Sequence, residues 1–279
     1  MRIVRTVAEV REAIRGPRSR GDRIGLVPTM GAFHAGHIAL MRAAREGSDV
    51  VVVSLFINPS QFNAAEDLAR YPRDEASDGS VAESEGVNLL FAPSADELYP
   101  PDFDTWVEPG ELGSVLEGAV RPGHFRGVAT VCAKLFAIVE PNAAWFGQKD
   151  AQQVAVVRRM VSDLNVPTEI RVLATVRDPD GLALSSRNVF LSPAERSTAL
   201  ALPRGLEAGL AAHRSGGDAV AAARHVLDAE RAMQLDYVAV ADFGGPTLAA
   251  AVRVGGTRLI DNVPLVDNHP MTADASRHG

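Results

Sequence analysis

The segment Pro28-Thr29-Met30-Gly31-Ala32-Phe33-His34-Ala35-Gly36-His37 holds the residue types best suited to chemistry. An apolar run ends in it, a glycine-containing turn follows, and a helical pattern begins. A helix start presents unpaired N–H groups and a partial positive charge, which suit phosphate. His34 and His37 are three residues apart, so both fall on one face of the opening turn. Gly36 removes a side chain where a ligand can approach. The bland alternative is a pair of histidines at a solvated helix start. A zinc site needs three or four ligands, and no cysteine or third histidine stands nearby.

Other segments place polar groups where strands end. Asn58-Pro59-Ser60-Gln61-Phe62 follows the buried run Val50 to Ile57, and an amide there can serve the carboxylate and hydroxyl of a small hydroxy acid. Phe146-Gly147-Gln148-Lys149-Asp150 is a strand-to-helix turn, with Gln153 one helical turn beyond Lys149. Of the 28 basic residues only Lys134 and Lys149 are lysines. Lys149 can hold a phosphate as a point charge, whereas Lys134, in an apolar helix, reads as a snorkelling surface residue. In Asp180 to Asn188, Arg187 can fork onto phosphate oxygens, and Ser185 and Ser186 supply hydroxyls and N–H groups. Arg121, His124 and Arg126 form a basic loop, with direct ligand contact and simple solvation both open. Cys132, the one cysteine, lies on an apolar stripe and reads as a buried structural thiol.

These residues need a frame. Strand-like runs at 23–29, 50–57, 87–91, 144–146 and 168–176 alternate with helical patterns at 38–46, 128–139 and 150–164. That alternation predicts an α/β fold, a Rossmann-like doubly wound parallel sheet, over residues 1–176. Helical segments at 193–213 and 218–233, then strand-like runs at 235–241 and 252–260, predict a second, smaller α+β domain over 177–267. Residues 268–279 read as a disordered tail. The chain has 279 residues and a net charge of −7, which argues against a broad nucleic-acid surface. No apolar run reaches the roughly 20 residues of a membrane span, and the N-terminus lacks the apolar core of a signal peptide. A cytoplasmic protein is expected.

The motif around His34 and His37 resembles the H-x-G-H signature of a nucleotidyltransferase superfamily that includes class I aminoacyl-tRNA synthetases. The longer form resembles the pantothenate synthetase family, and four further motifs follow in that family's order: Asn58 to Phe62, Glu117 to Gly127, Phe146 to Asp150 and Asp180 to Asn188. Thr257 to Asn262 also matches the family's ending. The resemblance implies ATP-dependent joining of pantoate to β-alanine through pantoyl-adenylate, releasing AMP and pyrophosphate. It implies His34, His37, Lys149 and Arg187 as catalytic residues. Met30, Gly31, His34, His37, Gly147, Lys149, Asp150, Val176, Leu184, Ser185, Ser186 and Arg187 would meet ATP. Gln61, Gln153 and Asn58 would meet pantoate. Leu184 replaces the family's usual methionine. Mg²⁺ would ride on the ATP phosphates, residues 177–192 and the small domain would close over the intermediate, and the chain would form a homodimer. The rival readings are a nucleotidyltransferase acting on a phosphorylated coenzyme A or NAD precursor, and a nucleotide-sensing module.

Overall fold

A computed structural model describes residues 1–62, 68, 69 and 71–266. The expected tail, 268–279, lies outside the described residues. The chain divides into two compact units. One comprises Met1–Gly147 with Gln152–Leu173; the other comprises Gln148–Ala151 with the chain from Ala174 onward. The second unit therefore starts before the expected 176/177 boundary, and it takes in the short turn that carries Lys149.

The first unit holds a parallel sheet of β1 (Arg2–Val4), β2 (Ile24–Thr29), β3 (Val50–Leu55), β4 (Leu89–Phe91), β5 (Ala143–Gly147) and β6 (Glu169–Leu173). Their order is β1-β4-β3-β2-β5-β6. Alternation along the strands splits the apolar side chains into two cores. Leu26, Val52, Ala144 and Phe146 pack on one face with Ile14, Phe136 and Val157. Val27, Val51, Val53 and Trp145 pack on the other with Met41, Ala44 and Ala82. The helices Val7–Ser19, His124–Val139 and Ala151–Asp163 thus cover one face, and Ala35–Gly47 and Glu75–Ser84 the other. Such two-sided burial explains why β3 reads as an apolar run broken only by Ser54. Cys132 lies in the first core, where burial pushes its thiol pKa up to about 12.

β3 and β4 lie to one side of β2, and β5 and β6 to the other. The winding reverses at β2, so the carboxyl ends of β2 and β5 flank the place where open α/β sheets bind ligands. Thr29 and Gly147 end those two strands.

The second unit packs the helices Ala201–Arg214 and Ala219–Asp228 on an antiparallel sheet of β7 (Met233–Asp242), β8 (Pro246–Val254) and β9 (Thr257–Pro264). Its core includes Leu202, Leu206, Leu227, Leu248 and Val252. Three expectations change here. The single strand expected over 252–260 is two strands, because Gly255-Gly256 reverses the chain and pairs Val254 with Thr257. The helix expected over 193–213 is two, Pro193–Ala199 and Ala201–Arg214, meeting at Leu200. The helix expected over 218–233 ends at Asp228, and Met233 already belongs to β7.

Candidate active site

The histidine turn leaves β2 through two left-handed residues, Gly31 (φ 89°) and Ala32 (φ 54°). A Cβ at Gly31 would stand 2.7 Å from Leu55 and 2.8 Å from Asp78 and would be strained at this positive φ, which favours glycine. Asp78, buried on the helix Glu75–Ser84, accepts from Ala32 N at 2.9 Å and Phe33 N at 2.8 Å. Its carboxylate thereby holds the strained bend.

His34 is the N-cap of the helix Ala35–Gly47. Its Nδ1 accepts from Gly36 N at 3.1 Å, and His34 N donates to His37 Nδ1 at 3.3 Å. This is a capping box built from two imidazoles in place of hydroxyl and carboxylate. An amide N–H only donates, so both Nδ1 atoms must be acceptors. Each neutral ring then carries its proton on Nε2, and the two rings stand as Nε2–H donors with centroids 4.2 Å apart. Gly36 also has a structural reason. A Cβ there would meet His34 Cε1 at 2.9 Å, so the glycine makes room for the capping ring.

Gln61 ends a short 3-10 turn after β3. Its Oε1 accepts from Asn58 Nδ2 at 3.0 Å, and its Nε2 donates to the Met30 sulfur at 3.0 Å. Its backbone carbonyl accepts from Arg121 at 3.2 Å and contacts His124 Nδ1 at 2.9 Å. Asn58 is buried and occupied within the protein: Nδ2 also donates to Gly127 O, and Oδ1 accepts from Ser60 N and Oγ. A Cβ at Gly127 would stand 2.4 Å from Ser60 O, so this turn lies directly on the helix His124–Val139. Gln153 is half-buried on the helix Ala151–Asp163. Its neighbour Gln152 is a structural residue, joined to Glu117 N and the carbonyls of Leu112 and Val115.

β5 ends at Gly147, where an added Cβ would meet nothing within 4 Å; the glycine leaves open space beside the strand end. In the second unit, Lys149 Nζ lies 3.5 Å from Asp150 Oδ1. The backbone of this turn is held from β9, where Asn262 Nδ2 donates to the carbonyls of Gln148 and Lys149, both at 2.9 Å. Residues 176–184 form a tight hairpin, with Leu184 N donating to Val176 O and Gly181 at its tip. Arg177 forks onto buried Asp261 at 2.6 and 3.1 Å, and Arg196 pairs with Asp178 and Asp180. The chain then enters a 3-10 turn, Ser186–Phe190, capped by Ser185 Oγ accepting from Arg187 N. Leu184, Ser185, Ser186 and Arg187 are all half-buried.

A family model described as pantoate-beta-alanine ligase matches residues 2–264. The chain belongs to the pantoate-β-alanine ligase family. A pantothenate synthetase of Bradyrhizobium diazoefficiens is 52% identical over 95% of this chain and 98% of its own length. One from Roseiflexus is also 52% identical, over 95% and 99%. The crystal structure of the Thermus thermophilus pantothenate synthetase superposes with a TM-score of 0.89 at 46% identity, covering 95% of this chain and 99% of that one. A Francisella tularensis pantoate-beta-alanine ligase, solved with β,γ-ATP and β-alanine, gives 0.84 at 34% identity, covering 97% and 99%.

Within the family's motifs the structure separates two kinds of residue. Within the first unit, Met30 meets Gln61, and His34 meets His37. The second unit carries Lys149, Asp150, Val176, Leu184, Ser185, Ser186 and Arg187. Arg121 and His124 prove to be supports for the Gln61 carbonyl, and Arg126 stacks on Trp106 at 4.3 Å. Lys134 differs from its expectation. Its ammonium lies over the Phe103 ring at 4.5 Å and the Tyr99 ring at 5.7 Å, and burial lowers its pKa. Asp78, Asn262, Asp261 and Arg196 were not legible as supports, because each works on a segment distant in sequence.

Proposed function

We propose that this ligase works in two steps. Pantoate carboxylate attacks the α-phosphorus of ATP, the bond from that phosphorus to the bridging oxygen breaks, and pantoyl-adenylate and pyrophosphate form. The amine of β-alanine then attacks the acyl carbon, loses a proton and expels AMP, giving pantothenate. The substrates supply both nucleophiles, so the protein needs only to align them and stabilise the charge that develops on the phosphates.

The observation that carries this reading is the pair of capped histidines. Two Nε2–H donors at a helix N-terminus, fixed by their own backbone, form a preorganised seat for phosphate oxygens. We assign His34 and His37 to the phosphoryl group under attack, and Lys149 and Arg187 to the triphosphate. Met30, Gly31, Gly147, Asp150, Val176, Leu184, Ser185 and Ser186 complete the nucleotide's contacts. Gln61 and Gln153 hold pantoate. Asn58 acts through Gln61, since its own donors and acceptor are already engaged. Among the described residues no group of three or more His, Cys, Asp or Glu is placed to hold a metal. We assign Mg²⁺ to the ATP phosphates from the family resemblance, where it would neutralise charge. Among the described residues no helix is long and apolar enough to cross a membrane. A cytoplasmic location, a homodimer and a shielding role for the second unit are proposed from the family resemblance.

The test is to incubate the protein with ATP, pantoate and β-alanine and to follow AMP, pyrophosphate and pantothenate. Without β-alanine, a single turnover should yield pantoyl-adenylate in amounts equal to active sites. Release of ADP and phosphate would overturn the adenylate route. Sedimentation checks the dimer.

A further inference from the structure

The ending of the small domain, Asp261-Asn262, has no part in the roles assigned above, yet its two side chains contact the two basic elements of the second unit. Asn262 is 4% exposed, and its whole amide is engaged with one turn. Nδ2 donates to the Gln148 and Lys149 carbonyls, and Oδ1 accepts from Gln148 Nε2 at 3.2 Å. Asp261 carries the ion pair with Arg177, at the base of the hairpin that leads to Arg187, and its Oδ1 also accepts from Asn262 N. Adjacent residues of a strand point to opposite sides. β9 is paired with β8 throughout, with Asp261 opposite Ala250 and Asn262 opposite Ala249, so both side chains stand on a rigid base.

We infer that Asn262 is a positioning residue for adenylate formation, acting through Lys149. This rests on the assignment of Lys149 to the triphosphate. In a trans peptide the C=O and the following N–H point in opposite directions. Drawing the carbonyls of Gln148 and Lys149 toward Asn262 therefore turns the N–H groups of Lys149 and Asp150 away from it. It also fixes the backbone from which the Lys149 side chain departs. A short 3-10 turn has poor hydrogen-bond geometry of its own, so it depends on such an outside clamp. Asp261 gives the same strand a grip on the Arg177 hairpin, and β9 thus sets the two basic elements in one register.

The experiment is a double-mutant cycle between Asn262→Ala and Lys149→Ala, read separately in the two half-reactions. Asn262→Ala should slow adenylate formation from ATP by ~10²-fold, the usual consequence of misplacing a reacting contact by about 1 Å. It should raise the KM for ATP, leave pantoate affinity within about twofold, and leave the reaction of preformed pantoyl-adenylate with β-alanine within about threefold. In the Lys149→Ala background, Asn262→Ala should add less than about threefold, because the group it positions has gone. Multiplicative losses, or equal losses in both half-reactions, would show a general structural role and overturn the inference. If Lys149→Ala is slow and Asn262→Ala is fast, the inference fails and the assignment of Lys149 stands. If Lys149→Ala itself forms adenylate at the wild-type rate, that assignment has failed. Should Asn262→Ala not fold, Asn262→Ser, which keeps one donor, carries the same cycle.

Discussion

The histidine turn and the lysine turn follow neighbouring parallel strands, β2 and β5, but they are fixed by different means. The imidazoles of His34 and His37 are bonded to amides within three residues of each ring, and Asp78 braces the preceding bend from afar. The Lys149 turn is held by Asn262, a separation of 113 residues. The first arrangement draws its capping bonds from its own helix start. The second needs the antiparallel sheet of the other unit to be folded and in register. A fault elsewhere in the chain should therefore reach the lysine sooner than the histidines.

The sharpest way to break this contrast is Lys149→Ala, for which the largest loss is expected. Adenylate formation should fall by at least ~10³-fold, because negative charge gathers on the triphosphate as the α-phosphorus is attacked. Supplied with preformed pantoyl-adenylate, the variant should still make pantothenate at a substantial fraction of the normal rate, since the second step expels AMP with one phosphate remaining. Lys149→Arg should rescue only in part, as a planar fork does not reproduce a compact ammonium. Equal loss in both half-reactions would withdraw the phosphate assignment.

His37→Ala tests the local side of the contrast. Adenylate formation should slow by ~10²–10³-fold, as for loss of one transition-state donor, with thermal stability lowered only by the lost cap hydrogen bond, about 1 kcal/mol. Single-turnover formation of the adenylate at wild-type speed would remove His37 from the mechanism. A smaller effect is expected at the amides. Gln61→Ala and Gln153→Ala should each weaken pantoate binding by about tenfold, the loss of a hydrogen bond to a charged group, and change ATP affinity much less. Calorimetry showing ATP lost and pantoate intact would refute the assignment.

How much of this was legible in the sequence follows the same division. The capped histidines can be read because strand, glycines and helix start are contiguous, although the room that Gly36 leaves for the His34 ring cannot. The parallel sheet could be read from its buried runs, but β1 escaped: it has three residues, and only Val4 is buried. β8 and β9 read as one run because only the two residues Gly255-Gly256 separate their ends, and V-R-V before them resembles T-R-L-I after them. Asp78 and Asn262 look like solvated polar residues in a helix and a strand. Nothing near them in sequence signals that each reaches a backbone segment of the site. Thr257 to Asn262 matches the family's ending, and its physical reason appears only when β9 is seen to reach the Gln148–Asp150 turn.

The smallest effect should come from the hairpin's outer anchor. The Arg196 side-chain hydrogen bond, joined by the Leu182 amide, holds the Asp180 carboxyl below its ordinary range. A carboxylate depressed by folding adds stability above its unfolded pKa, and the gain fades as pH falls through the lower folded value. The pair is partly exposed, so the contribution is small. Replacing Arg196 with Ala should lower the melting temperature slightly at neutral pH and leave the value below the folded pKa of Asp180 unchanged, which flattens the acid-side dependence. An unaltered acid limb would show that the anchor contributes nothing measurable.

Cys132 gives the molecule a built-in clock. It is the sole thiol of the chain, it lies in the core of the helix His124–Val139, and its ionisation is pushed up to about 12. The thiolate is the form that attacks thiol reagents, so the native fold should be almost inert to them at neutral pH. Each molecule labelled by a disulfide reagent has therefore opened that helix at least once. With no second thiol to confuse the signal, the labelling rate counts openings of the core on which the Gln61 turn rests, in an unmodified protein and without a probe introduced by mutation.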